Sequence, residues 1–265
     1  MVLFLTGWVF PTDTSLNVAI GQNPDVDGPQ PPALAVPDPD APDGWRTIVP
    51  FMGFPGGKTK TIAVDLTGQF DATDPRVQLS TSMEIYWDEV FLTVNEPECE
   101  IVRTDLTVTA ADLHYRGFSR RIPGRNNGPE GYDYEDVTTV SPWAPMQGSF
   151  TRYGNVTELL RTDDGQLVVM GAGDELTVRF RCPAQELPPG WTRDFLLYNV
   201  GWDKDADLNT VLGQTTGPLP WKDMAGYPAP ADDETQSDPL LRRYRRQWQT
   251  RQQKNRAFWR SLLTP

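Results

Sequence analysis

The run Gly201-Trp202-Asp203-Lys204-Asp205-Ala206-Asp207-Leu208-Asn209-Thr210 has the best ligand spacing in the chain. Asp203, Asp205, Asp207 and Asn209 stand at alternate positions, which is how calcium loops present oxygens to one hard cation. Leu208 stands where an EF-hand loop needs glycine, and Gln214 where it needs a bidentate glutamate. Lys204, inside the run, offsets one negative charge. The run therefore reads either as an irregular calcium site or as an acidic turn whose Asp side chains cap nearby backbone amides.

A second chemistry is sugar binding. Sugar CH faces pack on aromatic rings while Asp or Asn side chains bond the hydroxyls. Tyr86, Asp88, Tyr132, Tyr134 and Trp202 have the side-chain types and the near-loop positions for this role. Glycosidase chemistry needs two carboxylates facing each other. Glu84, Asp88, Glu89, Asp133, Glu135 and Asp194 are acidic, but no spacing singles out a pair. The single histidine, His114, excludes a multi-histidine metal site. No G-x-S-x-G elbow accompanies it, so His114 reads as an ordinary strand residue. Gly53-Phe54-Pro55-Gly56-Gly57-Lys58-Thr59 imitates a phosphate loop. Met52 stands in place of its first glycine, and a strand pattern follows instead of a helix, so it reads as a turn.

The elements that must hold these residues are mostly strands. From Gly53 to Val94 three strands are expected, with Ile62, Val64 and Leu66 alternating in the first. In the third, Ile85 and Trp87 have odd parity while Val90, Leu92 and Val94 have even parity. One regular strand cannot keep both sets on one face, so a β-bulge is expected near Asp88-Glu89. Further strands are expected at Val2–Phe10, Leu34–Val36 (an edge strand in a Pro-rich loop), Trp45–Phe51, Leu113–Phe118, Leu167–Met170, Glu175–Phe180 and Phe195–Val200. Residues 119–136 read as a long polar loop, and Asn155 as the cap of a helical turn. One helix is expected at Pro239–Leu263. Leu241, Tyr244 and Trp248 recur on one face of it, beside a string of arginines with no acid after Asp238.

The segments around Trp45, then MGFPGGKTKTIAVDLTG, RVQLSTSMEIYWDEV, GYDY, PPGWTRDFLLY and GWDKDADLNT, carry a family resemblance over nearly the whole chain. The chain resembles a C-terminal segment of bacterial secreted proteins that combine tetratricopeptide repeats, FG-GAP propeller repeats and an ASPIC/UnbV module, relatives of cartilage acidic protein. The resemblance implies an exported setting and carries no assigned activity. The calcium-like ligands of the propeller repeats lie outside this chain and are not transferred to it.

High proline and glycine, 25 and 22 residues, suit many short strands joined by tight turns. The fold class expected is all-β: antiparallel β-sandwiches, jelly-roll or galactose-binding-like, with a C-terminal basic amphipathic helix. Residues 1–103 read as one unit, 104–230 as a second that is separate or packed with the first, and 231–265 as a tail. A net charge of −12 argues against non-specific nucleic-acid binding by the body. The basic helix would dock on that acidic body or meet a membrane or acidic partner. Cys99 and Cys182 could be bridged or remain buried thiols. The opening MVLFLTGWVF reads as a strand, which places any targeting signal upstream. Taken together, the expected role is a non-catalytic accessory module of an extracellular or envelope protein that contacts a glycan or another protein. A two-carboxylate hydrolase and a purely structural domain are the alternatives.

Overall fold

The computed structural model describes the chain except residues 13–15, 18, 21, 22, 24, 70–72, 96, 98, 127, 142–145, 185, 205–212, 225, 226, 230–237 and 255–265. Antiparallel strands dominate, with a short helix near the C-terminal end, so the fold is all-β. Contacts divide the chain into two units, Met1–Val102 with Arg121–Asp133, and Arg103–Arg120 with Tyr134–Pro265.

In the first unit, β1 (Val2–Val9), β2 (Ala33–Pro37), β3 (Trp45–Val49), β4 (Lys60–Asp65), β5 (Gln78–Ser80) and β6 (Ile85–Thr93) form two sheets. Their orders are β4-β1-β6 and β3-β2-β5. Leu3 and Leu5 of β1 and Val64 of β4 meet Leu34 of β2, with Ile48, Leu79 and Trp87 packed around them. Two sheets thus share one apolar layer, the arrangement of a sandwich. Strand β2 is not the edge strand its prolines suggest, because it lies between β3 and β5. Pro31 and Pro32 precede the strand and Pro37 ends it opposite Trp45, so no ladder donor is lost in its middle.

The bulge implied by the parity change is present. Along the β1–β6 ladder Thr6 faces Glu89 and Gly7 faces Trp87, which leaves Asp88 as the extra residue. Trp87, Val90 and Leu92 therefore stand opposite Gly7, Leu5 and Leu3, on one face. Glycine is needed at position 7: a Cβ there would run into the Tyr86 carbonyl oxygen and lie 3.1 Å from the Trp87 ring. The other face of this sheet stacks Phe4 on Phe91 and Trp8 on Tyr86, with ring centroids 5.0 and 5.6 Å apart.

The remaining strands are β7 (Val108–Tyr115), β8 (Phe118–Ile122), β9 (Gly131–Thr138), β10 (Gly148–Phe150), β11 (Gly154–Asn155), β12 (Asp174–Phe180) and β13 (Arg251–Gln253). β7 is the middle of a sheet ordered β11-β7-β12, and β10 pairs with β13. The stretch expected as a polar loop, 119–136, is mostly the β8–β9 hairpin. Ala111 and Leu113 of β7 pack against Val156 and Leu159, and against Tyr244 and Trp248 of helix α1 (Pro239–Trp248). The 3-10 turn Thr157–Leu160 supplies Leu159, and the Asn155 carboxamide oxygen accepts the Thr157 amide at 2.9 Å.

Helix α1 starts where the sequence places it. The Asp238 side chain accepts the Leu240 amide, and Pro239 occupies the first turn. Its aromatic face is buried in the second core, as a helix docked on the body requires. It stops at Trp248, well before Leu263, and the chain turns into β13. Tertiary partners override local propensity here: the Arg251 guanidinium is held by Asp174 and by the Thr151 carbonyl. Phe195–Val200 and Leu167–Met170, both expected as strands, join no sheet among the described residues. Cys99 and Cys182 are free and exposed rather than bridged or buried. No described helix is long and apolar enough to cross a membrane.

Candidate functional site

The sheet β11-β7-β12 has one apolar face and one polar face, because alternate residues point to opposite sides. Ala111 and Leu113 face the core. Their neighbours Ala110, Asp112 and His114 point outward. Strand register then sets the order across the outer face: Thr177 of β12 and Asn155 of β11 stand opposite Asp112, while Glu175 stands opposite His114 and Arg179 opposite Ala110.

His114 lies between two carboxylates. Its Nδ1 is 3.3 Å from Asp112 Oδ2, and its Nε2 is 3.1 Å from Glu175 Oε1. Arg116 Nε donates to the second Glu175 oxygen at 3.0 Å. The remaining guanidinium nitrogens donate to Ser119 Oγ and to the Tyr134 carbonyl, and the group sits 5.9 Å from the Tyr134 ring centroid. Beside this ladder lies a shallow depression of about 430 Å³, lined by Ala110, Ala111, Asp112, Asn155, Thr177 and Arg179.

This face presents hydrogen-bonding groups of both kinds. Asp112 offers acceptors, Asn155 and Thr177 offer donors and acceptors, and Arg179 offers a planar donor fork. The face does not place two carboxylates across a substrate. Asp112 and Glu175 flank the imidazole itself, so the ring fills the space a scissile bond would need.

A second polar cluster in the same unit is built around one buried carboxylate. The Asp174 side chain is 1% exposed and is bound by the Arg251 guanidinium. Tyr153 Oη donates to Asp174 Oδ1 and the Gly171 amide to Oδ2, both at 2.7 Å. Arg251 lies over the Tyr153 and Phe150 rings, 4.2 and 5.0 Å from their centroids. Burial, reinforced by the hydrogen bond to Asp174, raises the Tyr153 phenol to about 12. Burial also raises Tyr244 to about 12, against the opposing hydrogen bonds to Gln249 and the Leu167 carbonyl. This cluster ties β13 to β12.

The residues singled out from sequence are spread over the chain. Tyr86 stacks on Trp8 and donates to Glu84 Oε1 at 2.6 Å, while Asp88 is the exposed bulge residue. Tyr132 lies 5.8 Å beneath Lys58 Nζ in the first unit. Tyr134 alone among them borders the polar face. Trp202 is 54% exposed and tilts against Tyr227 at 5.1 Å. Asp203 is exposed, whereas Asp205, Asp207 and Asn209 lie outside the described residues. Among the described residues, no three His, Cys, Asp or Glu side chains gather as a metal site. Lys204 turns to the carbonyls of Thr215, Thr216, Gly217 and Pro218 at 2.9 to 3.4 Å, and burial there lowers its pKa.

Sequence reasoning missed Asp112, Glu175, Arg116, Asn155, Thr177 and Arg179 as a group. The signal was available as two polar stripes of period two, Asp112-His114, continued by Arg116 just past the end of β7, and Glu175-Thr177-Arg179, each strand having an apolar opposite face. No family model, curated protein or solved structure matches the chain.

Proposed function

We propose that the chain is a non-catalytic binding module of an exported or envelope protein, and that the outer face of sheet β11-β7-β12 takes a hydroxyl-rich ligand of the glycan class. The observation that carries this reading is the in-register row Asn155–Asp112–Thr177 beside the hollow over Ala110. The exposed Tyr134 ring next to Arg116 adds an apolar surface on which a sugar could stack. The resemblance to secreted repeat proteins supports the exported setting. A glycan array tests the proposal: wild-type protein should give hits that Asp112→Ala and Tyr134→Ala lose. An array without hits removes the reading.

One observation favours a second reading, a structural domain that packs on a neighbouring domain. Val90, Leu92 and Val94 of the first unit are 53%, 44% and 55% exposed, and Ile101 and Val102 more so. Apolar surface of this kind marks contact surfaces in many proteins. Expressing the chain with its flanking sequence, and comparing exchange of these amides in the two forms, tests it. Unchanged exchange would remove this reading.

A further inference from the structure

The groups lining the depression on sheet β11-β7-β12 differ in what the fold has already used. Glu175 is filled by His114 Nε2 on one oxygen and Arg116 Nε on the other, and Asp112 Oδ2 faces His114 Nδ1. Asn155 Oδ1 accepts the Thr157 amide at 2.9 Å, which leaves the Asn155 NH2 group to give. Among the described residues, the Thr177 hydroxyl has no hydrogen-bond partner and the Arg179 guanidinium has neither a hydrogen bond nor an ion pair. All three of these side chains are exposed. What remains around the depression is therefore weighted to donors: the Arg179 fork, the Asn155 NH2 and the Thr177 hydroxyl, against the single acceptor Asp112 Oδ1.

A neutral sugar answers only part of this set. Its hydroxyls donate as well as accept, so they suit Asp112 and Thr177, but they bring no charge to the guanidinium. A group that only accepts and carries one negative charge completes it. On the reading of this face as a glycan site, on which the inference rests, we propose that the bound sugar is a uronic acid, with its carboxylate on the Arg179 fork and a ring hydroxyl on Asp112 Oδ1. Two coplanar carboxylate oxygens meet two parallel N–H groups of a guanidinium. One guanidinium neutralises one negative charge, and Asp112 in the same depression opposes a second, so a doubly charged phosphate ester is disfavoured. The chain's net charge of −12 repels acidic polymers in general, so a preference for an acidic sugar must come from this local cation.

An array followed by titration calorimetry on the full chain tests this, with uronic-acid oligosaccharides, their methyl esters and sulfated analogues as probes. Wild-type protein should bind the acid about tenfold or more tightly than its own methyl ester, the scale of one hydrogen-bonded charge pair. Raising the ionic strength should shrink that ratio in wild type. Arg179→Gln should bring the two affinities together, and its circular dichroism should match wild type because the side chain is exposed. Equal wild-type affinity for acid and ester overturns the inference while the glycan reading stands. A preference for the sulfated analogues over the acids overturns the carboxylate, and a preference for the acid that survives Arg179→Gln overturns the role of Arg179. An array without hits removes this inference and the glycan reading together.

Discussion

Strands β1 and β7 occupy the same place in their units. Each is the middle strand of a three-stranded antiparallel sheet, and each buries alternate residues, Leu3 and Leu5 in one, Ala111 and Leu113 in the other. They part company on the opposite face. Beyond β1 that face is aromatic, with Phe4 on Phe91 and Trp8 on Tyr86. Beyond β7 it is charged, with Asp112, His114 and Glu175 in a ladder. Burial sets the first face of both sheets in the same way, so the first face says little about role. The second face is free to differ, and stacked rings there add stability whereas half-exposed charges contribute little of it.

The comparison can be broken most severely below the charged face, at the network that ties in β13. Asp174→Ala leaves Arg251 without its carboxylate and Tyr153 without its acceptor. It should cost about 3–5 kcal/mol in urea unfolding, the usual penalty for breaking a buried pair. A loss below about 1 kcal/mol would mean the pair is already solvated. The pH dependence comes next. Tyr244 is raised to about 12 from its ordinary 10.0, so folding favours the neutral phenol. The stability this contributes is complete below about pH 10 and is lost as pH rises from there towards 12. Urea midpoints at pH 9 and pH 11 should therefore fall for wild type and fall less for Tyr244→Phe.

The two outer faces themselves should show smaller and opposite effects. Phe91→Ala should cost about 0.5–1.5 kcal/mol beyond its lost area, by removing the stack on Phe4, and should leave ligand binding intact. Asp112→Ala should change stability by about 0.2–1 kcal/mol, the range of a cross-strand pair, and should remove binding. If both variants behave alike, the distinction between the faces fails.

Much of the framework was legible in the residues. The parity change between Trp87 and Val90 announced the bulge at Asp88, because a period of two tolerates no other repair. Leu241, Tyr244 and Trp248 announced a buried helical face. What could not be read was register between distant strands. Nothing in the chain says that His114 stands opposite Glu175, or Asp112 opposite both Asn155 and Thr177, and the candidate site consists of those pairings. The end of α1 was hidden for a related reason, since the partner that draws Arg251 out of a helix is Asp174, 77 residues away. Phe195–Val200, expected as a strand from its composition, forms none, because composition alone supplies no neighbouring strand to pair with.

The account rests on the charged face being the one that binds. Titration calorimetry with an oligosaccharide chosen from the array, run on wild type, Asp112→Ala and Phe91→Ala, addresses it most directly. The prediction is heat of binding from wild type and Phe91→Ala and none from Asp112→Ala. Binding retained by Asp112→Ala and lost in Phe91→Ala would place recognition on the aromatic face and contradict the account.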